Sequence, residues 1–266
     1  MKKLGFFLVA LSVVFNFTSC LESSSVTEGQ GIGVLEFNEG GYLVLKSNLG
    51  HVYANNLDAL ALSGKMEIGS CYIFAYRHDS NVPENTPAMI ELYQFETITL
   101  IDYREIPKSY ASSMMTDKDN ALMDEVPLKD AYNSGNPYID NYFFIWSIVN
   151  QQEDLELNWI LSYDSDNYVT IENGIRYYDI YIRATARNTS SQTSRIEAVH
   201  LNAFNVGLYL ANIASIEKAA LENSYSVNSK LNLRVNYVTE ISEEAKELTW
   251  SSKVITDIYL APFVSK

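Results

Sequence analysis

Short runs in which apolar and polar residues alternate constrain the fold of this chain more than any other feature. Residues 231–237 (LNLRVNY) alternate without a break, and residues 155–163 carry Leu, Trp or Tyr at every second position. Side chains of a β-strand point alternately to opposite faces of the sheet, so a period of two indicates strands buried on one side. The pattern predicts a mainly β fold.

The first half of the chain has the layout of a small barrel. Residues 31–47 predict a β-hairpin, and its turn at residues 38–41 holds two glycines that can adopt positive φ. Residues 71–76 form a continuous apolar and aromatic run that predicts a strand, and residues 89–103 predict a longer one. Short strands with glycine-rich corners indicate an OB-like β-barrel over residues 31–105.

The second half is β-rich as well. Residues 106–137 contain three prolines and predict a linker or an edge segment, with a binding loop as the alternative. Residues 138–266 carry several short strands that predict an antiparallel β-sandwich domain. Residues 209–223 are the exception, because their apolar positions recur at helical spacing and predict one helix. The predicted packing stripe of this helix consists of Tyr209, Ile213, Ile216 and Ala220.

The N-terminus predicts export and a lipid anchor. Lys2 and Lys3 precede an apolar run at residues 4–17, and Phe17-Thr18-Ser19-Cys20 has the form of a lipobox. We therefore predict a lipoprotein signal peptide at residues 1–19, lipidation of Cys20 and a tether over residues 20–30. The alternative is an ordinary secretory peptide that leaves Cys20 as a thiol. The predicted location is the cell envelope, lipid-anchored at the outer membrane, with the face left open.

Charge and cysteine content narrow the classes of partner. The net charge of −14 repels nucleic acid and anionic head groups, so neither is predicted as a partner. Cys20 and Cys71 are the only cysteines, so a lipidated Cys20 leaves no disulfide within the chain. Cys71 lies in an apolar run, which predicts an inert buried thiol.

The sequence contains no recognisable catalytic, metal-binding or cofactor-binding motif. His51, His78 and His200 have no spacing suited to a shared metal, and each is interpreted as a surface or cross-strand residue. Asp164 and Asp166 open a stretch like a calcium loop, but Val169 stands where that loop needs glycine. We interpret the stretch as a turn and predict no enzyme, no cofactor and no metal site.

Tyrosine is abundant, with 19 residues, and provides the candidate partner-binding positions. Aromatic rings on an exposed sheet face offer a large and rigid contact area to sugars and proteins. The alternative is that tyrosine only fills sheet faces, since it is a good strand residue. One contiguous exposed patch would favour binding, and scattered rings would favour the structural interpretation. The candidates are Tyr72, Tyr76, Tyr177, Tyr178 and Tyr181.

The layout resembles the NigD-like lipoprotein family. The resemblance is carried by the lipobox ending at Cys20, the glycine-punctuated hairpin after it, and the stretches at residues 64–76, 91–93, 199–204 and 231–237. Residues 141–145 (NYFFI) depart from the Gly-Tyr-Leu-Asn-like strand that the family tends to carry early in its second domain. The resemblance implies an N-terminal OB-type domain, a C-terminal β-sandwich, a link to bacteriocin operons as immunity factors, and no established catalytic residues.

Three hypotheses of function follow. The first is a non-catalytic, membrane-anchored lipoprotein that binds a protein or glycan partner at the cell envelope, with an immunity-type role as one form of it. The second is a secreted hydrolase that acts on an extracellular polymer. The third is a purely structural component of the envelope. Strong negative charge directs the first hypothesis towards a protein or a neutral glycan.

Overall fold

A computed structural model of the 266-residue chain describes residues 26–79, 90–106, 123–133, 138–152, 155–187, 195–242 and 248–264. The predicted signal peptide at residues 1–19 and the predicted lipidation site Cys20 lie outside the described residues. The described part of the chain is mostly β-strand, as the alternating sequence predicts. It also contains no helix with the length and apolar character that a membrane crossing requires.

The N-terminal module is a curled five-stranded sheet. Its strand order is β5-β4-β1-β2-β3, and all neighbouring pairs are antiparallel. A parallel bridge between Ala54 and Ile90 links the end of β3 to the start of β5 and closes the sheet. This is the OB-like β-barrel that the sequence predicts. Its elements are β1 (Val26–Phe37), β2 (Leu43–Ser47), β3 (Gly50–Val52), helix α1 (Leu57–Leu62), β4 (Cys71–Asp79) and β5 (Ile90–Ile106).

Glycines on β1 allow aromatic rings of β4 to fold across that strand. Gly29 lies opposite Tyr76 and Gly31 opposite Phe74. A Cβ atom on Gly29 would come within 2.5 Å of the Tyr76 ring, and one on Gly31 within 2.6 Å of the Phe74 ring. The rings thus fill the space that the glycines leave empty. Because β1 starts at Val26, the second half of the predicted tether belongs to the barrel.

The C-terminal module consists of two packed sheets. The first sheet has the order β7-β9-β13-β5, with β8 also on β9. The second has the order β15-β14-β12-β10-β5, with β6 and β11 also on β12. Their elements are β6 (Met123–Val126), β7 (Leu128–Tyr132), β8 (Tyr138–Ile139), β9 (Tyr142–Gln152), β10 (Leu157–Asp164), β11 (Thr170–Glu172), β12 (Ile175–Arg187), β13 (Arg195–Asn205), α2 (Gly207–Leu221), a 3₁₀ turn (Glu222–Ser224), β14 (Lys230–Ile241), β15 (Leu248–Tyr259) and α3 (Ala261–Val264).

The sandwich confirms the predicted fold class but its sheets are mixed rather than wholly antiparallel. The pairs β5–β13, β5–β10 and β12–β14 are parallel. Parallel neighbours need a crossover connection, and helix α2 lies in the connection that leads to β14. Residues 106–137, predicted as a linker or an edge segment, contain two strands, β6 and β7, that pair with the sandwich.

Strand β5 belongs to both modules. Residues 90–98 pair with β4 in the barrel, residues 99–102 pair with β13, and residues 103–106 pair with β10. The predicted module boundary at residue 105 therefore falls inside a continuous strand. Because β5 pairs with β4 of the barrel and with β13 and β10 of the sandwich, this strand joins the two modules.

Helix α2 covers the sandwich core, although its buried face differs from the prediction. Tyr209 and Ile213 are buried as predicted, but Ile216 and Ala220 are exposed. Glu217 is buried in their place, at 8 % exposure. The buried carboxylate of Glu217 interrupts the apolar stripe. Apolar spacing alone therefore predicts the wrong buried residues in the C-terminal half of the helix.

An apolar cluster joins the two modules. The outward faces of β1, β4 and β5 contribute Ile32, Val34, Cys71 and Ile98, and the first sandwich sheet contributes Phe144 among others. Cys71 is fully buried there, and burial raises the pKa of its thiol to about 12. This confirms the prediction of a buried thiol, and a thiol with so high a pKa is a poor nucleophile.

Candidate ligand-binding cleft

A cleft opens where β5 leaves β4 and begins to pair with β13. Before Thr99 and Asn202, where the parallel pairing starts, the two strands diverge. The space between them has a volume of about 400 Å³, within the range of small-ligand sites. We name it the junction cleft. It is lined by Ile73, residues 96–99, Trp146, residues 155–157, Trp159 and residues 199–202.

The inner face of the first sheet turns polar at the junction cleft. Phe143 and Phe204 lie opposite each other at one end, followed by Ile145 opposite Asn202 and then Ser147 opposite His200. The polar positions occupy the same face as the apolar ones, because paired residues share a face and the side-chain period is two. Ser147, His200 and Asn202 therefore form a polar stripe within the apolar inner face, beside the cleft.

Two buried polar atoms in this stripe have no hydrogen-bond partner among the described residues. The Nδ2 atom of Asn202 lacks an acceptor although the residue is only 2 % exposed, and the Oγ atom of Ser147 lacks a partner at 0 % exposure. An unpaired buried donor costs about 1–3 kcal/mol, and the great majority of buried polar groups are paired. Because Asn202 lines the cleft, its unpaired donor indicates a place where an external group completes the hydrogen bonding.

His200 connects the polar stripe to the opposite sheet. Its imidazole Nε2 lies 3.0 Å from Oε1 of Gln151, and its ring centroid lies 5.4 Å from that of Trp159 on β10. Burial lowers the pKa of His200, so the imidazole is neutral at pH 7. The sequence interpretation of His200 as a cross-strand residue is correct, but its place in a cleft was not predicted.

A tryptophan flanks each face of β13 at the junction cleft. Trp146 lies opposite Leu201 on one face and is half-buried. Trp159 lies against His200 on the other face and is only 8 % exposed. The edge of β13 between these rings is open, because β5 pairs with it only from Asn202 onwards and no other described strand pairs there.

The electrostatic character of the cleft is acidic. Glu96 and Glu156 line it with exposed side chains. None of the described residues that line it is Lys or Arg. Together with the net charge of −14, this arrangement disfavours an anionic ligand and favours a neutral or basic one.

The five predicted partner-binding tyrosines do not form one exposed patch. Tyr72 is 2 % exposed because its ring lies inside the barrel opposite Gly33, with its hydroxyl accepting a hydrogen bond from the Glu67 amide. Tyr76 is half-buried over Gly29. The prediction that Tyr72 offers an exposed ring is therefore wrong.

Tyr178 is also buried, at 0 % exposure, because it faces the sandwich core together with Ile180 and Ile182 of β12. Its hydroxyl donates to Glu217 Oε2 over 2.6 Å, and Arg176 Nε donates to the same atom over 2.7 Å. Burial raises the pKa of the Tyr178 hydroxyl, and the neighbouring carboxylate adds to the effect. A buried phenol of this kind needs a partner within the protein and offers no surface to another molecule.

Tyr177 and Tyr181 lie together on the outer face of the second sheet and are half-buried. Tyr177 lies under the guanidinium of Arg234, 5.0 Å from its ring centroid, and Tyr181 packs edge-on against Trp250. Between them Asp179 accepts hydrogen bonds from Arg234, Asn236 and Thr170. A partner-binding role for Tyr76, Tyr177 and Tyr181 stays a prediction.

The residues considered for metal binding are not brought together. Asp164 Oδ1 accepts a hydrogen bond from the Asp166 amide over 2.9 Å, which is the turn that the sequence predicts. Within the described ranges, no group of three or more His, Cys, Asp or Glu could hold a metal ion.

Comparison with known proteins finds similarity at the level of fold. No protein-family model matches the chain, and no curated protein sequence matches it. An uncharacterized protein from Parabacteroides merdae is 17 % identical, with a TM-score of 0.66 over 87 % of this chain and 99 % of that one. A protein named "putative lipoprotein" from Bacteroides fragilis is 10 % identical, with a TM-score of 0.50 over 88 % of this chain and 98 % of that one.

A NigD-like immunity protein from Bacteroides caccae is also among the structural neighbours. It is 9 % identical, with a TM-score of 0.47 over 89 % of this chain and 99 % of that one. A NigD-like protein is thus among the structural neighbours, while the shared fold rests on the Parabacteroides merdae protein with its TM-score of 0.66. At these identities the likeness concerns the fold alone.

Proposed function

We propose that this chain is a non-catalytic, lipid-anchored protein of the cell envelope that binds a partner molecule in the junction cleft. The observation that carries the proposal is the buried Nδ2 atom of Asn202, which lines a cavity of about 400 Å³ and has no hydrogen-bond partner among the described residues. The Oγ atom of Ser147 is unpaired in the same way, and Ser147 lies opposite His200, which also lines the cavity. A protein that only supports the envelope has no need to keep these donors unpaired, since apolar residues of similar shape would cost less free energy.

The lipid anchor is part of the proposal. The lipobox ending at Cys20 supports anchoring at the cell envelope, and the outer membrane is the membrane we propose. The first strand starts at Val26, so few residues separate the lipid from the barrel. The cleft then acts close to the membrane surface, on a protein or glycan partner. An immunity-type role is one form of this function.

Binding by matched tryptophan variants tests the proposal. The full chain in detergent micelles is immobilised and exposed to an envelope extract and to a panel of neutral glycans. Trp146→Ser alters the junction cleft, whereas Trp250→Ser alters a half-buried tryptophan on the outer face of the second sheet. We expect a saturable partner that Trp250→Ser retains and Trp146→Ser loses, with both variants folded by circular dichroism.

Two outcomes contradict the proposal. If the folded wild-type chain retains nothing from the extract or the panel, the structural hypothesis replaces it. If a partner is retained equally by both variants, the chain binds at a surface other than the junction cleft.

A further inference from the structure

We propose that the ligand of the junction cleft is an extended peptide segment, neutral to basic in charge, that adds as a strand to the open edge of β13. The inference rests on the proposed function, and it names the class of partner for the same site. Its basis is the place where β5 and β13 diverge, which leaves the edge of β13 without a described partner over residues 195–201.

The open edge continues an existing parallel pairing. β5 pairs with β13 in parallel from Thr99 and Asn202 onwards. A strand added beside residues 195–201 would lie on the same edge of β13 as β5, N-terminal to that pairing. The backbone N–H and C=O groups along such an edge are a template for another strand. At about 3.3 Å per residue, this edge extends over about 20 Å, enough for several peptide residues.

Side-chain sites lie on both faces of that edge. An added strand would point alternate side chains to the Trp146 and Leu201 face and to the Trp159 and His200 face. Strand addition derives affinity from main-chain hydrogen bonds and specificity from pockets for alternate side chains. Asn202 lies at the end of the open edge, where the pairing with β5 begins, and its unpaired Nδ2 can donate to a peptide carbonyl.

The rings in the cleft fit a peptide better than a sugar. A sugar platform needs an exposed aromatic face, but Trp159 is 8 % exposed and packs on His200. The rim carboxylates of Glu96 and Glu156 complement Lys or Arg side chains of a peptide. They repel acidic segments for the same reason.

Binding of blocked peptides to the full chain in detergent micelles tests the inference. The probes are random peptides of about seven residues, the length of the open edge, in one library without acidic residues and one rich in them. We expect saturable binding from the first library and affinities at least about tenfold weaker from the second. Trp146→Ser should weaken binding about tenfold, and Trp250→Ser should not change it.

An N-methyl scan of the best peptide separates strand addition from side-chain binding. Methylation of every second amide should weaken binding about tenfold, and methylation of the amides between them should have little effect. Glu96→Gln, which changes an exposed residue and does not endanger folding, should weaken basic peptides more than neutral ones.

Three outcomes overturn the inference. The first is that no peptide from either library binds, and the second is that N-methylation shows no alternation. The third is that a neutral oligosaccharide binds in the junction cleft and is lost in Trp146→Ser. In this third case the proposed function stands and only the ligand class is wrong. The proposed function is overturned only if the folded chain also retains nothing from the envelope extract or the glycan panel.

Discussion

The side chains around Asp179 on the outer face of the second sheet and those of the junction cleft are both polar groups within the sandwich, but only the carboxylate of Asp179 has its hydrogen bonds completed within the protein. Asp179 accepts from Nε and Nη2 of Arg234, from Asn236 over 2.8 Å and from Thr170 over 2.7 Å. Asn202 Nδ2 in the cleft, and Ser147 Oγ beside His200 on the neighbouring strand, have no partner among the described residues.

The hydrogen bonds of Asp179 stabilise the fold, whereas the unpaired polar atoms at the cleft are available to another molecule. Burial opposes ionisation of Asp179, but Arg234, Asn236 and Thr170 outweigh it and hold the pKa of that carboxyl below its usual value. A carboxylate with all its partners inside the protein positions β11, β12 and β14. Unpaired donors beside a cavity lower stability unless a ligand pairs with them, which is typical of binding sites.

The largest effect should come from breaking the buried ion pair of the outer face. Arg183 is 0 % exposed and donates to both carboxylate oxygens of Glu125. Glu125→Ala leaves that guanidinium buried without its carboxylate, so we expect a loss of about 3–5 kcal/mol in the free energy of unfolding. Urea denaturation measures it. The matched control is Glu91→Ala, whose exposed pair with Arg77 should contribute about 0–1 kcal/mol.

Asp179→Asn should lower the free energy of unfolding by about 2 kcal/mol, because Arg234 loses its ionised partner within the sheet. Denaturant titration measures this loss, and a ligand titration measures the affinity of the junction cleft. Ligand affinity of the junction cleft should not change, since Asp179 lies on the other face of the second sheet. A tenfold loss of affinity would show that the two regions are not independent.

Ser147 and Ser162 are buried serines that differ in their distance from the cleft lining, so they provide a matched pair of variants. Ser147→Ala and Ser162→Ala each remove a fully buried hydroxyl without a partner, so each should raise the free energy of unfolding by about 1 kcal/mol. Only Ser147 lies on the polar stripe of the cleft. We expect weaker ligand binding for Ser147→Ala alone. Equal loss in both variants would contradict a role for the stripe.

The smallest effect is a pH dependence from His200. Burial lowers its pKa in the folded state, so the unfolded chain binds more protons below about pH 6.5. The free energy of unfolding should therefore fall as the pH decreases from about 6.5 towards the folded pKa. His200→Gln should reduce this slope. An unchanged slope, measured by urea denaturation at a series of pH values, would contradict the assignment.

Much of the fold could be predicted from local pattern. Alternation identified β10 and β14, and the glycines at residues 38–41 identified the first turn, where Asn38 Oδ1 accepts from the Gly40 and Tyr42 amides. The shared strand β5 could not be predicted, because its change of partners depends on contacts distant in sequence. Tyr178 was misassigned for a related reason: which of two neighbouring tyrosines faces inward is set by sheet packing.

The polar residues of the candidate site are visible in the sequence, but only the pairing of β9 with β13 shows that they lie together. Ser147 and Gln151 stand at alternate positions of β9, and His200 and Asn202 at alternate positions of β13. Each set alone indicates an ordinary half-polar strand. Only the register, which places Ser147 opposite His200, brings them together on an inward face.

We propose that the junction cleft, and not the outer tyrosine face, is the binding site. The chain contains three tryptophans, of which Trp146 and Trp159 line the cleft and Trp250 contacts Tyr181 on the outer face. The most direct measurement is the nitrogen–proton spectrum of the three indoles during titration with the neutral-to-basic peptide library. We expect the Trp146 and Trp159 signals to shift while the Trp250 signal stays in place. A shift of Trp250 alone, or of none of the three, would contradict it.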